Sequence, residues 1–324
     1  MQNKNIIHAY KFDGQGSGSK ISEQNIASEI KDTSLSWVHL DATHENTREW
    51  LVQNVDYLDN IIIDALLAEE TRPRILEFDE GSLLILRGVN LNENSEPEDM
   101  ISIRLWIDQN RIISIQRRPL KAVIDIEERL VSGKGPKNSG DFISALSSRL
   151  FERMEPVFSE LDETLDDIEE RVMDTPDTKE RQEITSIRKQ AIVFRRYIVP
   201  QRDVIARLRI SEQPWLDQMH KRRLQESLDR VIRYVEDLDT IRERAQIVKD
   251  ELSSILADRM NKNMYILSVI AAIFLPLGFF TGLMGINIGG MPGVDNENAF
   301  WIFSGMLIVV VTLQTVLFKK LKWF

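Results

Sequence analysis

The sequence predicts an α+β chain: an N-terminal α/β domain, a long stalk helix, and two C-terminal transmembrane helices, the first a continuation of the stalk. Three observations predict it. Short Ile-, Leu- and Val-rich runs separated by turn residues fill the chain from Ile6 to Gln116. From Trp215 to Leu275 there is neither proline nor glycine, and apolar residues recur at steps of three and four. From Asn263 to Val294 there is no Asp, Glu, Lys, Arg or His.

The first region, 1–135, reads as a cytoplasmic α/β domain. Strands are expected at Ile6–Phe12, Ser36–Leu40, Arg74–Phe78, Leu83–Leu91, Ile101–Ile107 and Arg111–Gln116. Hairpin turns fit Phe78–Ser82 and Ile107–Arg111. Two short helices belong between Asn46 and Glu69, and another near Leu120–Val131. Ser132–Gly140 has the composition of a linker and lacks the spacing of a phosphate loop.

The second region, 136–262, is helical. Asp141 is placed to cap a helix reaching about Asp174, with Phe142, Leu146, Phe158, Leu161, Leu165, Ile168 and Val172 as its apolar stripe. A second helix runs from about Thr178 to Leu208, with a kink expected at Pro200. After a break at Ser211–Pro214 comes the stalk, with Leu224, Leu228, Val231, Val235, Leu238, Ile241, Ala245, Val248, Leu252 and Ile255 on one face. A helix from Trp215 to Met284 would be roughly 105 Å long at ~1.5 Å per residue, several times a bilayer core of ~30 Å.

The third region, 263–324, holds the spans, 264–284 and 299–318, joined by an outer loop, 285–298. Arg259 and Lys262 precede the first span, and Lys319, Lys320 and Lys322 follow the second. The loop carries only Asp295 and Glu297, so both termini are expected in the cytoplasm. The N-terminus shows no export signal. Ser268, Ala271, Leu275, Gly278 and Gly282 form a mostly small-residue face on the first span. Spacing alone leaves two readings of that face: pore lining in a ring of subunits, or plain helix contact in a membrane-anchored scaffold or sensor.

The chain has no cysteine and a formal charge of −10. Disulfides, thiolate metal sites and cysteine nucleophiles are excluded, and nucleic acid is not the default partner. No nucleotide motif, nucleophile elbow or catalytic acid pair supports an enzyme, and no cofactor is implied. Between Glu155 and Asp177 stand ten Asp and Glu residues with a single base, Arg171. Such a helix is a solvated face or a field that gathers cations.

The first span ends in Gly285-Ile286-Asn287. With the run Ile273–Asn287, the following Met291-Pro292, and the order of soluble domain, stalk and two spans, the chain resembles the CorA superfamily of two-helix divalent-cation transporters. The resemblance implies a funnel-shaped homopentamer in the inner membrane, with Asn287 at the outer pore entrance and Asp295 and Glu297 as an acidic collar. A ring of amide oxygens can hold a hydrated cation without trapping it. Magnesium-transporting members mostly carry Met at the middle position, where this chain has Ile286, and Glu after Met-Pro, where it has Gly293. The loop looks more like the zinc-transporting ZntB branch, which implies Zn²⁺ as cargo and proton-coupled uptake. The alternative is a magnesium, cobalt or nickel channel.

The expected pore face adds Asp250, Asn261, Met264 and Leu267 to the small-residue face, with Leu267 and Leu275 as a hydrophobic constriction. Cytoplasmic metal candidates are His220, Glu155, Asp162 and Asp166. His220 is expected at the surface, and His39 and His44 as structural, with Asp41 or Thr43 capping the next helix.

Overall fold

β1 (Ile6–Phe12) turns back on β2 (Gly18–Lys20), a short helix α1 (Ile26–Glu29) follows, and β3 (Ser36–Asp41) pairs with β1. Helices α2 (Thr47–Asn54) and α3 (Asn60–Leu67) precede an antiparallel meander: β4 (Arg74–Phe78), β5 (Gly81–Gly88), β6 (Ile101–Ile107) and β7 (Arg111–Gln116). β7 lies parallel to β3, giving the sheet order β2-β1-β3-β7-β6-β5-β4. The computed structural model describes residues 5–55, 57–286, 293 and 295–321.

The central strands are buried on both faces, which is why they read as continuous apolar runs. Alternation along β3 divides the core. Val38 and Leu40 pack with Leu51, Ile62, Ile63 and Leu66 of α2 and α3. Trp37 points the other way and meets Phe142 edge-on at 5.0 Å. Phe142 lies on α5 (Ser139–Glu152), which follows α4 (Lys121–Val131). The domain is thus a sheet between two helical layers.

The structure departs from the sequence reading in four places. β2 was not foreseen, because Gly18-Ser19-Lys20 carries no apolar signal. β5 begins at Gly81 and ends at Gly88. Asn138, not Asp141, caps α5: its Oδ1 accepts from Asp141 N at 2.8 Å. The expected long helix is also two, α5 and α6 (Glu155–Asp174). Pro156 has no N–H to give the carbonyl of Glu152, so it suits the first turn of a new helix better than the interior of an old one.

α7 (Glu180–Ile210) passes through Pro200 as one helix. The next residue uses that position. Gln201 is fully buried and clasps the backbone of Arg87: Arg87 N donates to its Oε1 at 2.6 Å, and its Nε2 donates to Arg87 O at 2.9 Å. This satisfies the end of β5 beyond its pairing with β4. The C-terminus of α3 is capped at long range. Arg117 donates to Leu67 O at 3.0 Å, and buried Arg104 donates to Ala68 O at 2.7 Å. Two cations there also oppose the helix dipole.

α8 (Gln218–Met284) carries the stalk. Its stripe from Leu224 to Val248 is buried as the periodicity requires. Phe158 of α6 contacts Phe194 of α7 at 5.0 Å and Tyr234 of α8 at 5.2 Å, both edge-on. Arg195 of α7 pairs with Asp239 of α8 at 2.7 Å. α9 (Ala299–Lys320) is the last helix. The chain separates into two compact units, Met1–Lys249 and Asp250–Phe324.

Candidate ion path

Two helices are long and apolar enough to cross a membrane: α8, through its C-terminal part, and α9. Within their unit they touch along one side of α8. Ala272, Ile273, Pro276, Leu277 and Phe280 are partly covered, and an apolar groove lined by Phe274, Leu277 and Thr281 faces Leu307, Ile308 and Val311 of α9. Asn261, Met264, Leu267, Ser268, Leu275, Gly278 and Gly282 are exposed in the single chain, while Ala271 is half-covered. A Cβ added at Gly278 or Gly282 would meet nothing within 4 Å. The small-residue face therefore has open space against it. Ser268 spends its hydroxyl on the helix, donating to Met264 O at 2.8 Å. Asp250, at the start of this unit, is exposed.

A polar tie between the two helices was not foreseen. Pro276 cannot donate to the carbonyl of Ala272 four residues earlier. Gln314 of α9 supplies the missing donor, with its Nε2 3.3 Å from Ala272 O. The sequence shows a proline in one apolar run and a glutamine in the other, but no local pattern pairs them.

α8 closes at Gly285, whose N–H reaches Thr281 O at 3.0 Å. Ile286 is exposed, and Asn287 lies outside the described residues. In the described part of the loop the left-handed glycine is Gly293, with φ +91°. Asp295 and Glu297 are both exposed. Asn296 Oδ1 accepts from Asn298 N at 2.9 Å as the chain enters α9.

Of the candidate metal ligands, Asp162, Asp166 and His220 are held by other partners. Asp162 accepts from Arg244 Nη1 at 3.0 Å, and Asp166 and Glu169 both accept from Arg244 Nη2, the latter at 2.8 Å. These hydrogen bonds, Asp166 first, hold the guanidinium more basic than an ordinary arginine. Glu155 opens α6 and is exposed. Among the described residues no group of three or more His, Asp and Glu is arranged to hold a metal.

His220 is buried rather than at the surface, with 4% of its area exposed. Its ring packs on Gly140, where an added Cβ would run into the imidazole and the Trp215 carbonyl. Asp217 N donates to its Nδ1 at 3.1 Å, and its Nε2 lies 3.4 Å from Asp141 Oδ1. Both ring nitrogens are engaged in folding the start of α8. His39 is also buried, stacked 4.9 Å from His8. Asp41 caps the turn rather than the helix, accepting from Thr43 N at 2.8 Å. His44 Nδ1 accepts from Asn46 N at 3.2 Å.

The comparisons with known proteins agree over the full chain. The model of the family described as CorA-like Mg2+ transporter protein matches residues 32–320. The zinc transport protein ZntB of Pectobacterium atrosepticum is 36% identical over 323 residues, covering 100% of this chain and 97% of the relative. The divalent cation transporter CmaX of Pseudomonas aeruginosa is 37% identical over 324 residues, covering 99% and 97%. The solved structure of full-length CmaX superposes with a TM-score of 0.86 at 35% identity, covering 100% of both chains. The CorA magnesium transporter of Methanocaldococcus jannaschii shares the fold, with a TM-score of 0.81 at 18% identity over 98% and 99%. By sequence along nearly its whole length and by fold, the chain belongs to the CorA-like Mg2+ transporter family.

Proposed function

We propose that this protein carries divalent cations, Zn²⁺ first among them, across the inner membrane. The observation that carries the reading is full-length identity of 36% to a zinc transport protein, together with two apolar helices left uncovered in one chain. A single pair of helices encloses no pore, so the working form is a ring of copies, a homopentamer in the proposal. The exposed face of α8, from Asn261 through Met264, Leu267, Ser268 and Leu275 to Gly282, would line it. Gly285, Ile286 and Asn287 would form its mouth, with Asp295 and Glu297 gathering cations outside. Both termini would lie in the cytoplasm.

The chemistry of the spans favours a hydrated ion. From Asn263 to Val294 there is no carboxylate, imidazole or thiolate to replace the water of Zn²⁺. Proton coupling would then run through Asp295 and Glu297, through cytoplasmic acids or through metal-bound water. A magnesium-type channel is the second reading, favoured by the description of the matching family.

Ion flux into liposomes holding the purified protein tests these readings. Zn²⁺, Ni²⁺, Co²⁺ and Mg²⁺ are compared with and without a pH gradient. Zinc flux enhanced by an inward proton gradient is the expected result, and an Asp295→Asn, Glu297→Gln double variant should lose that enhancement. Magnesium flux without zinc flux selects the second reading. No flux of any divalent cation under any gradient sinks both.

A further inference from the structure

Beyond transport, the soluble unit contains a cavity whose charge is opposite to that of the protein. It has a volume of about 590 Å³ and is lined by Arg72, Arg87, Arg118, Arg196 and Tyr197, with Glu70, Thr71 and Asp99. Four guanidinium groups thus face two carboxylates in a chain of net charge −10. Only Arg118 has a carboxylate in ion-pair range among the described residues, with Nη1 2.5 Å from Asp99 Oδ2.

Arg87 is built into the wall. Its Nε and Nη2 donate to Thr71 O at 3.1 and 2.6 Å, and its Nη1 donates to Met100 O at 2.6 Å. Neutral carbonyls hold it in place, and Asp99, the carboxylate whose field reaches it, is already paired with Arg118. One N–H on each terminal nitrogen remains for another acceptor. The ring of Tyr197 lies 4.1 Å from the Arg87 guanidinium and 4.8 Å from that of Arg196, and its hydroxyl accepts from Arg196 Nη2 at 2.9 Å. One aromatic ring therefore gathers two cations that would otherwise separate. Burial first, then Arg118 and Arg196, lower the basicity of the Arg87 guanidinium, with Tyr197 and Asp99 acting the other way; a bound anion would raise it.

We propose that this cavity binds a phosphate-bearing anion. Its size is that of a small-molecule site. Fixed planar forks match tetrahedral oxyanions better than they match chloride. The occupant is a soluble phosphate or pyrophosphate group. A lipid phosphate shares the chemistry, and carboxylates of a second copy are the competing explanation.

Calorimetric titration of the full chain in detergent, with inorganic phosphate, pyrophosphate and chloride at fixed ionic strength, tests it. Pyrophosphate and phosphate should bind saturably and chloride should not. An Arg72→Gln, Arg196→Gln double variant, altered at exposed positions, should bind at least about tenfold more weakly. Arg87→Gln should bind more weakly still, and the exposed pair keeps the test valid should Arg87→Gln fail to fold. Repeating the titration in neutral-lipid discs with and without phosphatidic acid separates the sources. Unchanged binding in both supports the soluble anion, and loss of binding with phosphatidic acid assigns the site to headgroup phosphate. No saturable binding to the unaltered chain, or equal binding by the double variant, overturns the proposal. So does a double variant that only lowers the oligomer mass in light scattering, which would make the arginines a contact between copies.

Discussion

Gln314 donates its side-chain amide to the carbonyl of Ala272, the group that Pro276 leaves without a helical partner. In hydrocarbon an unpaired carbonyl has no water to turn to, so the second helix completes the hydrogen bonding of the first. Gln314→Leu should lower stability in detergent by about 1 kcal/mol, read as an earlier thermal transition. In a Pro276→Ala background α8 can bond its own Ala272 carbonyl, and the same Gln314 substitution should then cost little. Equal costs in both backgrounds would show that Gln314 acts by packing.

The start of α8 is closed by an exchange of bonds. His220 N donates to Asp217 Oδ1 at 2.9 Å, and Asp217 N donates to His220 Nδ1 at 3.1 Å. Asp217→Ala should destabilise the soluble unit by about 1 kcal/mol. Gly140→Ala should cost more, roughly 1–3 kcal/mol, because the new methyl displaces the His220 ring from the cap. Chemical denaturation of the full chain gives both values. A Gly140→Ala variant as stable as the parent would mean that the ring has room to move.

Acid should weaken the sheet domain through His8 and His39. Burial, with Lys20 adding, pushes His8 down to about 4. Burial, then His8, pushes His39 down to about 3. His8 Nδ1 lies 3.3 Å from Glu127 of α4, and the cluster is completed by Tyr10, Trp37 and Ser114. Both rings stay neutral in the fold while unfolded histidines protonate near pH ~6.5. Their contribution is complete above that pH and is lost as pH falls toward about 4 and about 3. For His8 the loss is roughly 3 kcal/mol. Thermal melts across this range should show the decline, and His8→Phe should flatten it. A pH-independent transition would exclude the pair as its cause.

Arg244 occupies Asp162 and Asp166, two of the candidate metal ligands read from the sequence, together with Glu169. Arg244→Gln should leave Asp162, Asp166 and Glu169 facing one another and lower the stability of the helical bundle by about 1 kcal/mol, since all three carboxylates are partly screened by solvent. Millimolar Mg²⁺ or Zn²⁺ should restore part of that loss in the variant and do little for the parent, as thermal melts would report. Equal metal responses would mean that the carboxylates bind ions with Arg244 in place.

Most of the fold was legible because burial imposes periodicity. The stripe from Leu224 to Val248 and the runs of β6 and β7 announce their partners without naming them. What was not legible depends on residues brought together from far apart. Gln201 on Arg87, Arg104 on the end of α3, and Gln314 on Ala272 are polar contacts that no local pattern encodes. The proposed mouth shows the opposite limit. Gly285-Ile286-Asn287 is conspicuous in the sequence, yet the use proposed for it would need a ring of copies that a single chain does not contain. His220 misled because its neighbours Lys221, Arg222 and Arg223 are those of a surface helix, while its own ring fills the space left by Gly140.

The parallel ladder between β3 and β7 sets an order of events during synthesis. Each flank of the sheet can form from strands close in sequence, but Trp37 cannot meet Ile112 until β7 has been made. Until then β3 keeps an unpaired edge, rich in Trp, Val and Leu, open to wrong partners. β7 ends at Gln116, long before the first apolar span is reached in the chain. The seam can therefore close while the membrane helices are still unmade, and the edge is hidden before the most aggregation-prone segments leave the ribosome.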